Sequence, residues 1–221
     1  RIHVAREDLL PGGTKQRAIA QFAKYMAKRG FDHFLYASPF CGYAQIALAY
    51  VCQRLNLKCT IVAEQDPHFP NEPRLHKYSK IAQQYGARIV LTKTLQEAES
   101  KANALAIADQ RSYKAPLGFD CPEYKQFLEL ELFQQWQIIL QTLPKAPPTL
   151  WLPVGSGTLA QVFSQFVDKE TRLHCVNVHV LSLQDPRIQK IRQNLNMTLF
   201  SSPQVFTEPA EEKPQIPSNE F

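Results

Sequence analysis

The segment "DHFLYASPFCGYAQIALAYVCQRLNLKCTIVAE", residues 32–64, decides the fold. It begins and ends with apolar runs of six to eight residues, 32–37 and 57–64, a length typical of buried strands. A loop containing proline and glycine follows the first run, and helical spacing of apolar residues then predicts a helix over 42–55. Two strands joined through a helix form a parallel pair. The segment therefore predicts one β-α-β unit.

The same alternation continues on both sides of this segment. Further strands are predicted at 87–92, 149–154 and 174–181, and further helices at 14–28, 72–85, 95–109, 121–143 and 158–167. After about Leu183 the sequence becomes irregular and rich in proline and polar residues, and no further element is predicted there. This order predicts an α/β fold in three layers, a parallel sheet with helices on both faces.

Composition indicates a globular protein and argues against several classes of function. The chain of 221 residues has 44% hydrophobic and 20% charged residues, as globular proteins do, and its net charge of +5 includes no block of like charges. The five cysteines form no CxxC pair and lack the spacing of zinc ligands, so neither disulfides nor a metal site is expected, and a reducing, cytoplasmic compartment is favoured. No apolar run approaches the roughly 20 residues of a membrane span, so no membrane partner is expected.

Lys15 follows a glycine pair in "REDLLPGGTKQRA", residues 6–18. A cation is disfavoured at a helix N-terminus, where the helix dipole is already positive. An exposed lysine would tolerate this position without any role. Alternatively, burial and the dipole lower the pKa of the amine and make it a nucleophile able to form a Schiff base.

A second candidate site follows the predicted strand at 149–154. Gly155, Ser156, Gly157 and Thr158 form a short loop before a helix, and its backbone N–H groups and two hydroxyls would suit a phosphate. A tight turn with a threonine N-cap is the alternative. The next strand lacks the terminal acidic residue of a dinucleotide site, and no Walker A lysine follows.

The loop from Ser38 to Tyr43 is the third candidate. It follows the carboxyl end of a predicted strand, the position at which open α/β sheets bind ligands. Cys41 would be a thiolate nucleophile at a helix N-terminus, but no histidine is tied to it by a motif. From the residues alone, Ser38, Cys41 and Tyr43 are predicted to project from this loop at the edge where a ligand would bind.

Together, these three segments resemble the fold-type II pyridoxal-phosphate (PLP) enzymes, the tryptophan synthase β-like superfamily. A lysine loop comes first, a serine and glycine loop follows about 25 residues later, and a glycine-rich loop follows about 115 residues after that. Residues 6–18 are most similar to the branch of aminocyclopropane-carboxylate deaminase and D-cysteine desulfhydrase. "GYAQIALAYVCQRLNLKCTIV" and "APLGFDCPEYKQFLELELFQQ" also resemble segments of that branch, and the likeness covers about residues 4–180.

The resemblance implies a role for each candidate. Lys15 would carry PLP as an internal aldimine and later transfer the proton, and residues 155–158 would bind the cofactor phosphate. The loop from Ser38 to Tyr43 would bind the substrate carboxylate through Ser38, Cys41, Gly42 and Tyr43. It would also cover one face of the cofactor ring, with Tyr43 contacting the cofactor. Residues 1–37 and 110–221 would form a larger PLP-binding subdomain, and 38–109 a smaller mobile one.

Two departures from the family pattern bear on activity. An asparagine of the family's substrate loop is replaced by Tyr43 or, in another alignment, by Phe40. The chain is also shorter than typical members in its C-terminal part, from which the partner of the pyridine nitrogen comes. Ser201, Ser202 and Thr207 are the candidates for that partner.

Three functions follow from this resemblance. The leading one is a PLP-dependent lyase or deaminase acting at the α-carbon of an amino acid, as a homodimer. A second is a PLP enzyme, for example a decarboxylase, acting on an amino acid attached to a nucleotide, a nucleic acid or a carrier. The third is a family member that has lost catalysis and acts as a binding subunit.

Overall fold

The structure is a computed structural model that describes residues 2–69, 71–72 and 74–204. The chain divides into two compact units, Arg1–Phe119 and Asp120–Phe221. Each unit is built around its own parallel sheet. The predicted grouping of 38–109 into a smaller mobile subdomain stays a prediction.

The first unit contains four α-helices and four strands within its described residues. They are α1 (Gln16–Lys28), β1 (His33–Ser38), α2 (Ala44–Arg54), β2 (Lys58–Glu64), α3 (Lys77–Gln84), β3 (Arg88–Thr92), α4 (Leu95–Ala108) and β4 (Ser112–Ala115). The strands lie in the order β3-β2-β1-β4 and all neighbours are parallel. The β-α-β unit predicted from residues 32–64 is therefore confirmed.

Helices cover both faces of this sheet. On one face, Ala37 of β1 and Val62 of β2 pack with two alanines of α4. On the other face, the ring of Tyr36 stacks on Phe119 at 5.3 Å, and Phe119 contacts Phe22 of α1 at 6.2 Å. Side chains alternate across a strand, so one β1 sequence supplies both layers of the core.

The second unit contains three helices and three strands in its described part. They are α5 (Pro122–Thr142), β5 (Thr149–Val154), α6 (Thr158–Phe163), β6 (Arg172–Asn177), α7 (Pro186–Gln193) and β7 (Met197–Ser201). The strands are parallel in the order β5-β6-β7. Leu152 and Cys175 lie in register and are buried, whereas Trp151, on the opposite face, stacks on Phe200 and is 57% exposed.

The predicted α/β class is thus confirmed, but several element boundaries were wrong. Strand β6 ends at Asn177 rather than at 181, because the chain turns at His179, which has φ +62°. The region after Leu183 is not irregular up to residue 201: it forms α7 and β7. Strand β4 was not predicted, since a four-residue strand gives too short a pattern.

Two helices are shorter than predicted. Helix α3 begins at Lys77 rather than at 72, because the side chain of His76 accepts a hydrogen bond from the backbone N–H of Tyr78 and caps the helix. Helix α6 ends at Phe163 rather than at 167. Across the described residues, no helix combines the length and the apolar character that crossing a bilayer requires.

Candidate active site

Lys15 ends a short 3-10 turn, Gly13–Lys15, that runs directly into α1. The turn depends on two glycines with left-handed backbone angles, Gly12 at φ +82° and Gly13 at φ +73°. The lysine is half-buried, and burial lowers the pKa of its amine below the ordinary value. Desolvation disfavours the charged form, so the uncharged, nucleophilic amine is more populated here than on an exposed lysine.

An ion pair fixes the segment that precedes this turn. The guanidinium of Arg17 on α1 donates two hydrogen bonds to the carboxylate of Glu7, at 2.9 and 2.5 Å. Such bidentate pairs hold a defined geometry better than single contacts do. The chain before Lys15 is therefore tied to the helix after it.

The lysine turn packs directly against the loop after β1. A Cβ added to Gly12 would lie 2.2 Å from the backbone N of Ala47, and one added to Gly13 would lie 3.3 Å from the Tyr43 ring. No larger residue fits at Gly12 without moving α2. The fold therefore brings Lys15 and the predicted substrate loop, Ser38 to Tyr43, together in one unit.

Backbone and side-chain hydrogen bonds define the shape of this loop. The carbonyl of Pro39 accepts from the Ser38 hydroxyl at 3.0 Å and from the Gly42 N–H at 2.9 Å. The Gln45 side-chain amide donates to the Gly42 carbonyl at 2.8 Å. Ser38 is fully buried, and a Cβ on Gly42 would lie 2.5 Å from its hydroxyl oxygen.

Cys41 is buried within the same loop. Burial raises the pKa of its thiol to about 12. A thiol with this pKa is protonated near neutral pH, so the structure disfavours the thiolate nucleophile considered from the sequence.

Aromatic rings surround the loop. The ring of Phe40 lies 6.2 Å from that of His68 and 5.6 Å from that of His76, with edge-to-face geometry in both cases. Tyr43 contacts Tyr78 of α3 at 5.0 Å. Neither His76 nor Tyr78 was singled out from the sequence, because only the packing of α3 brings them to the loop.

The second unit contains the predicted phosphate loop. Gly157 has φ +79°, and the hydroxyls of Ser156 and Thr158 lie 3.0 Å apart within hydrogen-bonding distance. A Cβ at Gly155 would lie 3.4 Å from Val180, and one at Gly157 would lie 3.4 Å from Ile191. The loop thus combines a left-handed glycine with paired hydroxyls where β5 ends and α6 begins.

Charged side chains of α5 and α7 lie close to this loop. Lys125 donates to the Gln161 side chain at 3.3 Å and forms an ion pair with Asp120. Arg187 forms a bidentate pair with Asp185, and its Cβ would lie 3.8 Å from a Cβ at Gly157. Arg187 was missed from the sequence, because no helix or strand is predicted after Leu183.

Asn177 is another residue that the sequence did not single out. It ends β6, is fully buried and lies in register between Val154, just before the glycine loop, and Ser201. Its side-chain oxygen accepts from the His179 N–H at 3.0 Å, whereas its amide nitrogen has no hydrogen-bond partner among the described residues. A polar residue ending an apolar strand was the available signal.

The structure describes two of the three residues considered as partners of the pyridine nitrogen. Ser201 ends β7 and Ser202 donates its N–H to the Asn177 carbonyl at 2.9 Å. Thr207 lies outside the described residues. The role of each stays a prediction.

Each of these two sets of residues fits one group of a cofactor that carries an aldehyde and a phosphate. Lys15 supplies an amine whose lowered pKa suits imine chemistry, and the loop 155–158 supplies paired hydroxyls and a left-handed glycine, Gly157, that suit an anion. The two sets belong to different units. Within the described part of the chain, no three His, Cys, Asp or Glu side chains cluster as a metal site.

Solved structures share this fold. A threonine deaminase of T.th. is 24% identical with a TM-score of 0.58, covering 78% of this chain and 52% of that one. The fungal L-serine ammonia-lyase from Rhizomucor miehei is 20% identical with a TM-score of 0.61, covering 78% and 53%. An O-ureido-L-serine synthase with O-ureido-L-serine bound is 17% identical with a TM-score of 0.63, covering 82% and 56%.

The chain therefore spans about half the length of the solved structures that it matches. It has no significant sequence match among curated proteins. A family profile described as "Pyridoxal-phosphate dependent enzyme" matches residues 1–202, nearly the whole chain. By this match the chain belongs to the PALP family of pyridoxal-phosphate-dependent enzymes.

Proposed function

We propose that this chain is a PLP-dependent lyase or deaminase that acts at the α-carbon of a small amino acid, with Lys15 as its catalytic residue. The observation that carries the proposal is the lysine turn itself. Lys15 has a lowered pKa, and its turn packs against the loop that follows the carboxyl end of β1. Because the chain belongs to the PALP family, PLP is the cofactor that we assign to this lysine.

Lys15 has two roles in this proposal. Its uncharged amine holds the cofactor covalently, and after release the same amine holds and moves the proton at the substrate α-carbon. The cofactor, when bound, supplies an electron sink for the bond that breaks there. Burial supports both roles, because it keeps the Lys15 pKa nearer to neutral pH.

The loop 155–158 binds the cofactor phosphate in this proposal. Left-handed Gly157 orients backbone N–H groups, and the hydroxyls of Ser156 and Thr158 lie close enough to donate to one anion. Arg187, next to Gly157, adds positive charge on the same side. Its pairing with Asp185 and Asp120 limits that charge.

The loop from Ser38 to Tyr43 binds the substrate carboxylate. Helix α2 begins directly after it, has no acidic residue in its first turn and so offers N–H groups to an anion. Ser38 contributes by stabilising the turn, because its hydroxyl already donates to the Pro39 carbonyl. Tyr43 covers the cofactor side of the loop, where its ring lies 3.3 Å from the position that a Cβ added to Gly13 would take.

The substrates to test first are small amino acids. Structures with the same fold are named threonine deaminase and L-serine ammonia-lyase, so L-threonine and L-serine are the first choices. D-Cysteine and 1-aminocyclopropane-1-carboxylate test the branch that residues 6–18 resemble. Decarboxylation, a carrier-linked substrate and a homodimer gain no support from any feature of the described residues and stay predictions.

The absorbance of the cofactor tests the proposal. The purified protein, mixed with PLP, should show the yellow absorbance of lysine-bound cofactor and shift it on adding one amino acid of the panel. Lys15→Ala should lose the yellow species and reduce turnover by about a thousandfold, within the range of general acid–base effects. Lys24→Ala, on the exposed face of α1, is the matched control and should behave like the wild type.

Two results would contradict this function. One is a Lys15→Ala protein that keeps the yellow absorbance. The other is a wild type that binds PLP but responds to none of the four amino acids.

A further inference from the structure

A buried hydrogen-bond chain connects α3 to the candidate substrate loop. The Ser79 hydroxyl donates to the side-chain oxygen of Gln45 at 2.9 Å, and the side-chain nitrogen of Gln45 donates to the Gly42 carbonyl at 2.8 Å. Ser79 is 1% exposed and Gln45 is fully buried. The chain ends on Gly42, whose N–H closes the turn onto Pro39.

The geometry fixes the orientation of the Gln45 amide. Its oxygen faces a hydroxyl donor and its nitrogen faces a carbonyl acceptor, so a flipped amide would place two oxygens opposite each other. A buried amide that loses one partner keeps the full desolvation cost of the unpaired atom. Without the Ser79 hydroxyl, Gln45 is therefore expected to turn away from Gly42 and towards water or another donor.

Contacts with the first turn of α3 support the same loop at two further points. His76, the N-cap of α3, contacts Phe40, and Tyr78 contacts Tyr43. Phe40 precedes Gly42 in the loop and Tyr43 follows it. The start of α3 thus contacts the loop on both sides of Gly42 along the chain.

We propose that Ser79, acting through Gln45, is a positioning residue that holds Gly42 and sets the shape of the substrate loop. The role in substrate binding rests on the function proposed above. Ser79 itself does not touch substrate. It keeps the Gly42 carbonyl directed towards Gln45, so that the N–H groups at the start of α2 keep a fixed direction.

The test compares Ser79→Ala with Ser112→Ala. Both remove a buried serine hydroxyl of the first unit, but Ser112 begins β4, at the opposite end of the sheet from the loop. Hydrogen exchange of peptides covering 39–46 should become about fivefold faster in Ser79→Ala and stay unchanged in Ser112→Ala. Gln45→Met should match Ser79→Ala, and the double variant should add nothing, because all three break one chain.

The same variants are then titrated with L-serine as PLP-loaded proteins. Ser79→Ala should raise the L-serine concentration at half-maximal spectral change about fivefold and leave PLP affinity within twofold. Loop exchange in Ser79→Ala equal to that of Ser112→Ala would overturn the positioning role. Faster loop exchange with an unchanged L-serine midpoint would overturn its link to substrate.

Failure of the proposed function gives a different result. A wild type that binds no PLP contradicts that function, whereas the exchange comparison needs neither cofactor nor substrate and still decides whether Ser79 holds the loop.

Discussion

The turn that contains Lys15 has two features that are unfavourable for folding, a glycine pair and a half-buried amine, and together they suit a reactive lysine. Glycine lowers helix stability and a half-buried amine is costly, so neither feature favours folding by itself. The turn Gly13–Lys15 combines them, and the pKa of the amine falls because the charged form loses water. A residue that folding alone would not select is typical of a functional site.

His33 is a titrating residue in the first unit with a predictable effect on stability. Its ring nitrogens lie 2.8 Å from the Ser112 hydroxyl and 2.9 Å from the Thr60 hydroxyl, and Ser112 donates to Asp109 at 2.7 Å. Burial lowers the pKa of His33, Lys58 acts in the same direction, and Asp109 and Asp32 oppose both. The folded state therefore favours the neutral ring.

The sign of the pH effect follows from linkage. With a folded pKa below the unfolded value of about 6.5, the unfolded chain binds more protons, and stability falls as the pH drops from about 6.5 through the folded pKa. One proton limits the slope to about 1.4 kcal/mol per pH unit. The pKa of Asp109 is lowered chiefly by the Ser112 hydrogen bond. Asp109 therefore adds to the loss of stability only below about pH 4, where its carboxylate takes up a proton.

Urea unfolding of the wild type and His33→Gln between pH 7 and 5 measures this effect. The variant should be less stable at pH 7, because it loses ring contacts, but its stability should depend less on pH. Equal slopes for the two proteins would show that His33 does not titrate as its burial predicts.

The contact between the lysine turn and α2 predicts the effect of a glycine substitution. Gly12→Ala places a methyl group 2.2 Å from the Ala47 backbone N, at a φ of +82°. Gly86 has nearly the same φ, +83°, but nothing lies within 4 Å of its added Cβ. Gly86→Ala should therefore lose about 1 kcal/mol of unfolding free energy from backbone strain, whereas Gly12→Ala should lose about 3 kcal/mol or more.

Chemical denaturation of both variants gives this difference, and PLP absorbance adds a functional measurement. Gly12→Ala should also weaken PLP binding, since the turn that carries Lys15 must move away from α2. If the two alanine variants were equally stable, close packing of the turn would be excluded.

At the scale of elements, the sequence predicted those with a long and regular pattern. Apolar runs such as 57–64 between turn residues gave strands, and α5 was predicted to within a residue at each end. Helix α7 was missed although Asp185 and Pro186 are ordinary helix-start residues, because the helix is short and the proline-rich sequence after it favoured an irregular segment. Strand β7 is defined mainly by its pairing with β6.

For the whole molecule, the order of elements predicted the α/β class but not the arrangement of strands. Alternation along the chain does not say that β1 lies between β2 and β4, nor that β5 begins a separate sheet. The candidate functional residues of each unit differ in the same way: Lys15, the loop after β1 and the loop after β5 were visible as local motifs, whereas Ser79 and Tyr78 are recognised only through packing.

Binding of the cofactor should stabilise the whole protein, because a ligand that binds only the folded state shifts unfolding by mass action. At PLP concentrations about 100 times its Kd, the gain is about 2.7 kcal/mol, which for a chain of this size raises Tm by about 5–10 °C. Pyridoxal, which lacks the phosphate, should give less than half of that shift if the loop 155–158 binds the anion. Inorganic phosphate alone should give a small shift in Lys15→Ala and in the wild type alike, since it needs only the loop. Scanning calorimetry of both proteins with each ligand separates the two contributions, and equal shifts from pyridoxal and PLP would exclude the glycine loop as the phosphate site.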